Sequence, residues 1–298
     1  MLRIYIMSII LLFITGCAGP VHMNIPANEP KPLKLSKRPH VALVLGGGAA
    51  RGYAHVGILK VFQREHIPMD LIVGASAGSL VGALYADNAN AAYVERTMRN
   101  TKFFSFADFT ILSSGYGFIS GRQLQRFLLD HMRSRWFDEL KIPLVVVATD
   151  LNSGNVKVLS SGPIPPAVNA SSAMPGAVHP VNLYGCMLVD GGMVAQLPVN
   201  IAKRYHPDII IAVTLQPDLE DELPTSILGV FRRSFDISLR TVETFSGEGA
   251  DLTIHPRVGK MGMFDIDKKA QLIHLGEIAA EQAMPKIKAL LKKKAVCR

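Results

Sequence analysis

The chain has 298 residues, 49% of them hydrophobic and 19% charged, with a formal net charge of +8. That balance excludes a disordered polymer and suits one well-buried α/β core better than two small domains. Repeats at solenoid periods are absent, three cysteines are too few for a disulfide framework, and neither H-E-x-x-H nor finger-spaced cysteine pairs occur, so no metal or other cofactor is expected.

The first stretch is a leader. Met1-Leu2-Arg3 is positive, Ile4 to Ile14 is apolar but too short to span a bilayer, and Ile14-Thr15-Gly16 precedes Cys17. This resembles a bacterial lipoprotein signal, an ordinary signal peptide being the alternative. The resemblance implies a signal over residues 1–16, lipidation of Cys17, and a membrane-anchored protein. Ala18 rather than Asp at the next position is similar to outer-membrane sorting, facing the periplasm. Residues 17–38, with Pro20, Pro26, Pro30 and Pro32, read as a tether to a domain over 39–298.

His40 to Leu45 is a buried-strand run that ends in Gly46-Gly47-Gly48-Ala49-Ala50-Arg51-Gly52, followed by a helical pattern through Ile58, Leu59 and Phe62. Backbone N–H groups at such a turn, beside a helix N-terminus, form an anion site. The spacing is G-x-G-x-x-x-G, not the dinucleotide G-x-G-x-x-G, and Tyr53-Ala54 stand where a P-loop needs Lys and Ser or Thr, so nucleotides are disfavoured and no nucleic-acid partner is expected. Asp70 to Gly74 is a second apolar strand entering Gly74-Ala75-Ser76-Ala77-Gly78, with a helix-forming run after it. A G-x-S-x-G turn between strand and helix lifts its serine clear of the sheet edge, which makes Ser76 the candidate nucleophile. The N–H groups of Gly47 and Gly48 then serve as an oxyanion hole. Arg51 is placed to hold a lipid phosphate or developing charge, or else to form a surface ion pair; His55 is expected to pack or cap.

Ala91 to Asn100 reads as a helix. The aromatic stretch from Phe103 to Phe118 forms either an acyl-chain wall or ordinary core, and a helix follows through Leu124, Phe127 and Leu128. Ile142 to Asp150 is another strand, with a hairpin through Val158 and a short helix over Pro165 to Ala173. Gly185 to Val189 leads into Asp190-Gly191-Gly192, Pro198 begins a helix, and Ile209 to Val213 is a further strand. Helical patterns over Thr225 to Thr244 and Lys268 to Lys293 complete the chain. Continuously apolar strands alternating with helices predict a mostly parallel sheet covered on both faces. From Gln282 onward the chain has six basic residues and no acid, either a solvated helix end or a membrane contact.

A serine hydroxyl needs a proton acceptor. Asp190 ends an apolar strand before two glycines and projects toward the same crevice; the rival arrangement is Ser, Asp, His with His206, His255 or His274, of which His255 is best placed. The glycine turn, Gly74 to Gly78 and Asp190 to Gly192, together with Ala148-Thr149-Asp150 and Ala173-Met174-Pro175-Gly176, resemble the patatin-like phospholipases over about residues 40 to 290. The resemblance implies a three-layer α/β/α fold, a Ser76–Asp190 dyad without histidine, oxyanion donors from Gly46, Gly47 and Gly48, and no metal. It further implies a lipid acyl hydrolase of phospholipase A or lysophospholipase type, acting on phospholipid or lysophospholipid. A general carboxylesterase with a triad and a non-catalytic lipid-binding lipoprotein are the alternatives.

Overall fold

The structure, a computed structural model, describes residues 25–101, 106, 108, 118–218, 223–261 and 266–296. The leader and Cys17 lie outside the described residues, as does most of the aromatic stretch.

Five apolar runs form a parallel sheet: β1 (Val41–Leu45), β2 (Leu71–Ala75), β3 (Leu144–Asp150), β7 (Ile209–Val213) and β8 (Leu252–Ile254). Its order is β3-β2-β1-β7-β8. Three strands, β4 (Val156–Leu159), β5 (Val181–Leu183) and β6 (Cys186–Asp190), extend it antiparallel: β4 pairs with β3 as the expected hairpin, while β6 pairs with β3 and β5 with β6 against the mostly parallel expectation. The sheet is therefore mixed at one edge and parallel through its centre.

Alternate strand residues feed two cores, because successive side chains point to opposite faces. Val41, Leu43 and Leu45 pack in one with α1 (Tyr53–Arg64) and α2 (Ala77–Asn88); Ala42 and Val44 pack in the other around Val199 and Ile201. Helices α3 (Ala91–Asn100), α4 (Arg122–His131) and α5 (Ile164–Ser171) add to the first layer. The second layer holds the one-turn helices α6 (Gly192–Ala195) and α7 (Val199–Ala202), with α8 (Ile227–Ser246) packed on α6. The result is the α/β/α sandwich expected of the sequence.

Of the tether expected over residues 17–38, the described part from Ile25 onward touches the body at several points. Leu33 N–H donates to Ser160 Oγ (3.1 Å), Ser161 Oγ donates to the Pro30 carbonyl (2.9 Å), and Leu33 and Leu35 pack against the second core.

The final helix, α9 (Lys269–Val296), lies on α1 at unusually close range. A Cβ built on Gly57 would meet the Ile273 carbonyl oxygen at 2.0 Å, and one on Gly276 the Ala54 carbonyl oxygen at 2.0 Å. Only paired glycines let these two backbones touch. Since α1 follows directly from the glycine turn, α9 braces that turn from outside. Gly276→Val is expected to lower unfolding free energy by more than about 2 kcal/mol in urea denaturation, as the helices must separate to admit the side chain.

Candidate active site

β2 ends at Ala75, and α2 begins at Ala77, so Ser76 alone makes the corner. Its backbone sits at φ 50° and ψ −122°, a conformation that costs a non-glycine residue about 1–3 kcal/mol and is held by its surroundings. A Cβ on Gly78 would lie 2.0 Å from the Leu45 carbonyl oxygen, so only glycine permits the turn to nest against the end of β1. Ser76 N–H donates to the hydroxyl of buried Ser171 (2.9 Å), and Ser79 Oγ donates to the Ser76 carbonyl (2.7 Å). The hydroxyl of Ser76 is left pointing outward from the sheet.

It donates to Asp190 Oδ2 at 2.7 Å. Asp190 arrives differently from the parallel-strand expectation: β6 runs antiparallel to β3, and the register Ala148↔Asp190 sets its last residue level with the β2–α2 corner. The other carboxylate oxygen accepts from Gly192 N–H (2.7 Å), and Thr149 Oγ1 fixes the Asp190 carbonyl (2.8 Å). Burial raises the Asp190 pKa to about 6, despite the opposing pull of the Ser76 hydroxyl and the Gly192 amide. A carboxylate poised there is ionised at neutral pH yet basic enough to take a proton.

Among the described residues no imidazole stands between them. His55 is fully buried in α1, its Nε2–H donating to the Gly46 carbonyl (2.8 Å), and desolvation holds its pKa down near 4. It packs and pins the glycine turn, as expected. His255 Nε2 contacts the Gln216 carbonyl, His274 is exposed beside Glu277, and His206 ends a one-turn 3-10 helix.

The glycine turn departs from expectation in its donors. Gly46 N–H is spent on the Val213 carbonyl (3.0 Å) and Gly47 N–H on the Gln196 carbonyl (3.0 Å), so neither is available to an oxyanion. Gly48 N–H has no protein acceptor among the described residues. Gly48 and Ala49 border a recess of about 20 Å³ together with Ser76, Asp190 and Met193, room for a single water or a single oxygen atom.

Arg51 is also placed differently. It is 3% exposed and lines the small recess beside Ser76 and Asp190, not the apolar cavity; its Nε–H donates to the Gly48 carbonyl (3.2 Å), and its guanidinium lies under α8 near Asp236 and Glu243. Desolvation lowers its pKa, and those two acids oppose the shift.

On the opposite side of Ser76 opens a cavity of about 190 Å³, walled by Tyr53, Leu80, Met98, Phe106, Leu124 and Met174. Phe106, from the aromatic stretch, is held edge-on against Phe127 at 4.9 Å between centroids. Ser171, which orients the Ser76 amide, was not singled out in the sequence. A serine ending a short helix carries no signal of its own until the chain is folded.

A family model described as patatin-like phospholipase matches residues 43–203. The chain belongs to the patatin-like phospholipase family. It is 31% identical over 193 residues to an uncharacterized NTE family protein of Mycobacterium tuberculosis, covering 64% of this chain and 53% of that protein. It is 31% identical over 191 residues to the human patatin-like phospholipase domain-containing protein 6, covering 62% of this chain and 14% of that protein. The match thus spans about half of the first relative and a small part of the second. The solved structure of VipD from Legionella pneumophila superposes with a TM-score of 0.58 at 13% identity, over 92% of this chain and 71% of that one, a likeness of fold alone.

Because burial raises the Asp190 pKa, the ionised side chain costs stability above about pH 6, and that cost is relieved as the group takes up a proton in the folded state. Asp190→Asn is therefore expected to be more stable than the unmodified chain at pH 8, with the advantage shrinking as pH falls through 6; paired thermal unfolding across pH checks this.

Proposed function

We propose that this patatin-like protein hydrolyses carboxylic esters of lipids, of phospholipase A or lysophospholipase type, with Ser76 as nucleophile and Asp190 as its only proton acceptor. The observation that carries the reading is the 2.7 Å bond from Ser76 Oγ to a buried carboxylate, at the mouth of an apolar cavity. Family membership and the likeness to a lysophospholipase of Pyricularia oryzae, 33% identical over 190 residues and matched over 12% of its length, support a lipid substrate.

In the proposed reaction the acyl chain lies in the cavity beside Met98 and Leu124, which places the ester carbonyl over Ser76. Ser76 Oγ attacks the carbonyl carbon, and its proton passes to Asp190 Oδ2. The oxyanion takes the Gly48 N–H in the adjoining recess, where loss of one such donor typically costs about 100 to 1,000-fold in rate. Collapse of the tetrahedral adduct breaks the ester bond, and Asp190 returns the proton to the departing alcohol. Water then attacks the acyl-serine, giving its proton to Asp190, and Ser76 Oγ recovers a proton as the carboxylic acid leaves. His55 and Arg51 brace the turn on either side of the Gly48 amide: one holds the Gly46 carbonyl and the other the Gly48 carbonyl, and Arg51 also lines the recess that receives the oxyanion.

We further propose that Cys17 is lipidated and holds the domain at a membrane. The leader pattern before it supports this.

Ser76→Ala and Asp190→Asn should each lower hydrolysis of nitrophenyl and lipid esters by about 1,000-fold or more, and His255→Ala by less than about 2-fold. The rate should fall as pH drops through about 6, since a protonated Asp190 cannot accept the serine proton. Fluorophosphonate labelling of Ser76, with mass spectrometry of products from defined phospholipids, checks the assignment. An active Asp190→Asn with a dead His255→Ala would overturn it.

A further inference from the structure

Helix α8 is turned inside out relative to an ordinary surface helix. At 3.6 residues per turn, Ile227, Val230, Phe231, Ile237 and Phe245 fall within one arc of about 120°, and all five are exposed; Ile227 is 92%, Phe231 68% and Phe245 74% exposed. The polar groups face the other way. Glu243 is buried and accepts from Thr214 Oγ1, Ser246 Oγ accepts from Leu197 N–H (3.1 Å), and Asp236 stands over Arg51. No charged residue lies on the outward arc.

Two of the three hydroxyls on that arc, those of Ser238 and Thr241, are also withdrawn, while Ser234 is exposed. Ser238 Oγ donates to the Ser234 carbonyl (3.0 Å) and Thr241 Oγ1 to the Ile237 carbonyl (3.1 Å), so each is satisfied within the helix. A face with no charge and a single free hydroxyl suits hydrocarbon, which offers no hydrogen-bond partners.

Position points the same way. On the inner side of α8, Phe235 and Leu239 line the recess that holds Ser76 and Asp190, and Phe231 stacks on Phe235 at 6.4 Å. Exposed Phe118 adjoins Ile119, which lines the apolar cavity, and exposed Leu151 follows the outer end of β3. Phe118, Leu151 and Phe231 thus stand near the end of the sheet that carries Ser76 and Asp190. Bordering charge is mixed: Arg232 and Arg233 on the helix follow the acidic run Asp218 to Glu222 in the sequence.

We propose that the outward face of α8 seats in a zwitterionic lipid surface, through apolar insertion rather than charge, and sets the mouth of the site against the bilayer. This deepens the proposed lipid hydrolysis, since a lipid then passes its acyl chain to the cavity without crossing water.

The full chain, carrying Ile227→Trp or Phe231→Trp, is mixed with phosphatidylcholine vesicles whose acyl chains are brominated. Fluorescence of the introduced Trp should be quenched about 2-fold or more relative to the unmodified chain with Trp136 alone, equally at low and high salt. The double change Ile227→Glu with Phe231→Glu should cut hydrolysis of vesicle phosphatidylcholine about 10-fold while leaving a soluble short-chain ester within 2-fold. Absence of quenching overturns the proposal, as does dimerisation in light scattering that the double change abolishes, which would give the face to a second copy. Loss of both activities together overturns it as well, because the face then serves the fold. Quenching with no hydrolysis of either substrate by the unmodified chain would sink the proposed reaction and uphold the docking.

Discussion

The contact on which the site depends is the hydrogen bond between Ser76 and Asp190, and it is set by strand register. β3 lies between the strands that carry them, so the two side chains meet only because β6 stops opposite Ala148. A slip of one residue would turn the carboxylate to the far side of the sheet, since side chains alternate with a period of two. Several bonds oppose such a slip. Thr149 Oγ1 holds the Asp190 carbonyl, Asp190 N–H donates to Ala173, and Gly191 N–H donates to Ser171, whose own hydroxyl holds the Ser76 amide. Ser76 and Asp190 are thereby tied to the same short helix.

Two unfavourable local states coexist here. Ser76 occupies strained backbone, and Asp190 is a carboxylate taken out of water with two hydrogen bonds for compensation. Each is tolerated because the central strands are buried on both faces and cannot relax toward the site. The same burial that raises the Asp190 pKa suppresses protonation of His55 in the helix that follows the glycine turn.

Much of this was legible in the sequence. The strand runs, the corner at Ser76 and the aspartate before two glycines all follow from local rules about small residues and apolar periodicity. Strand direction was not, because β6 looks the same locally whether it runs parallel or antiparallel; Asp190 was placed correctly on an argument the antiparallel pairing replaces. The expectation of free amides at Gly46 and Gly47 fails for a related reason. Whether Gly46 and Gly47 have free amides depends on Val213 and Gln196, about 150 residues away, and no local pattern reports that accounting. Likewise the periodicity of residues 225–244 announces a helix with an apolar stripe. It does not say which way the stripe faces, and in α8 it faces out.

The site is asymmetric about Ser76, and that asymmetry constrains how a lipid can lie. One side is the apolar cavity under α1, α2 and α4; the other is the small recess under α8, bounded by the Gly48 amide and Asp190. In the proposed reaction an acyl chain fits the apolar volume on the first side. The recess is too small for more than one oxygen atom, so the alcohol portion of an ester must leave by the open mouth between them. The surroundings of Ser76 are thus sorted by volume and polarity: an apolar space on one side and a small polar recess on the other, which in the proposed reaction would take the hydrocarbon and the oxyanion and leave the open mouth to the polar leaving group.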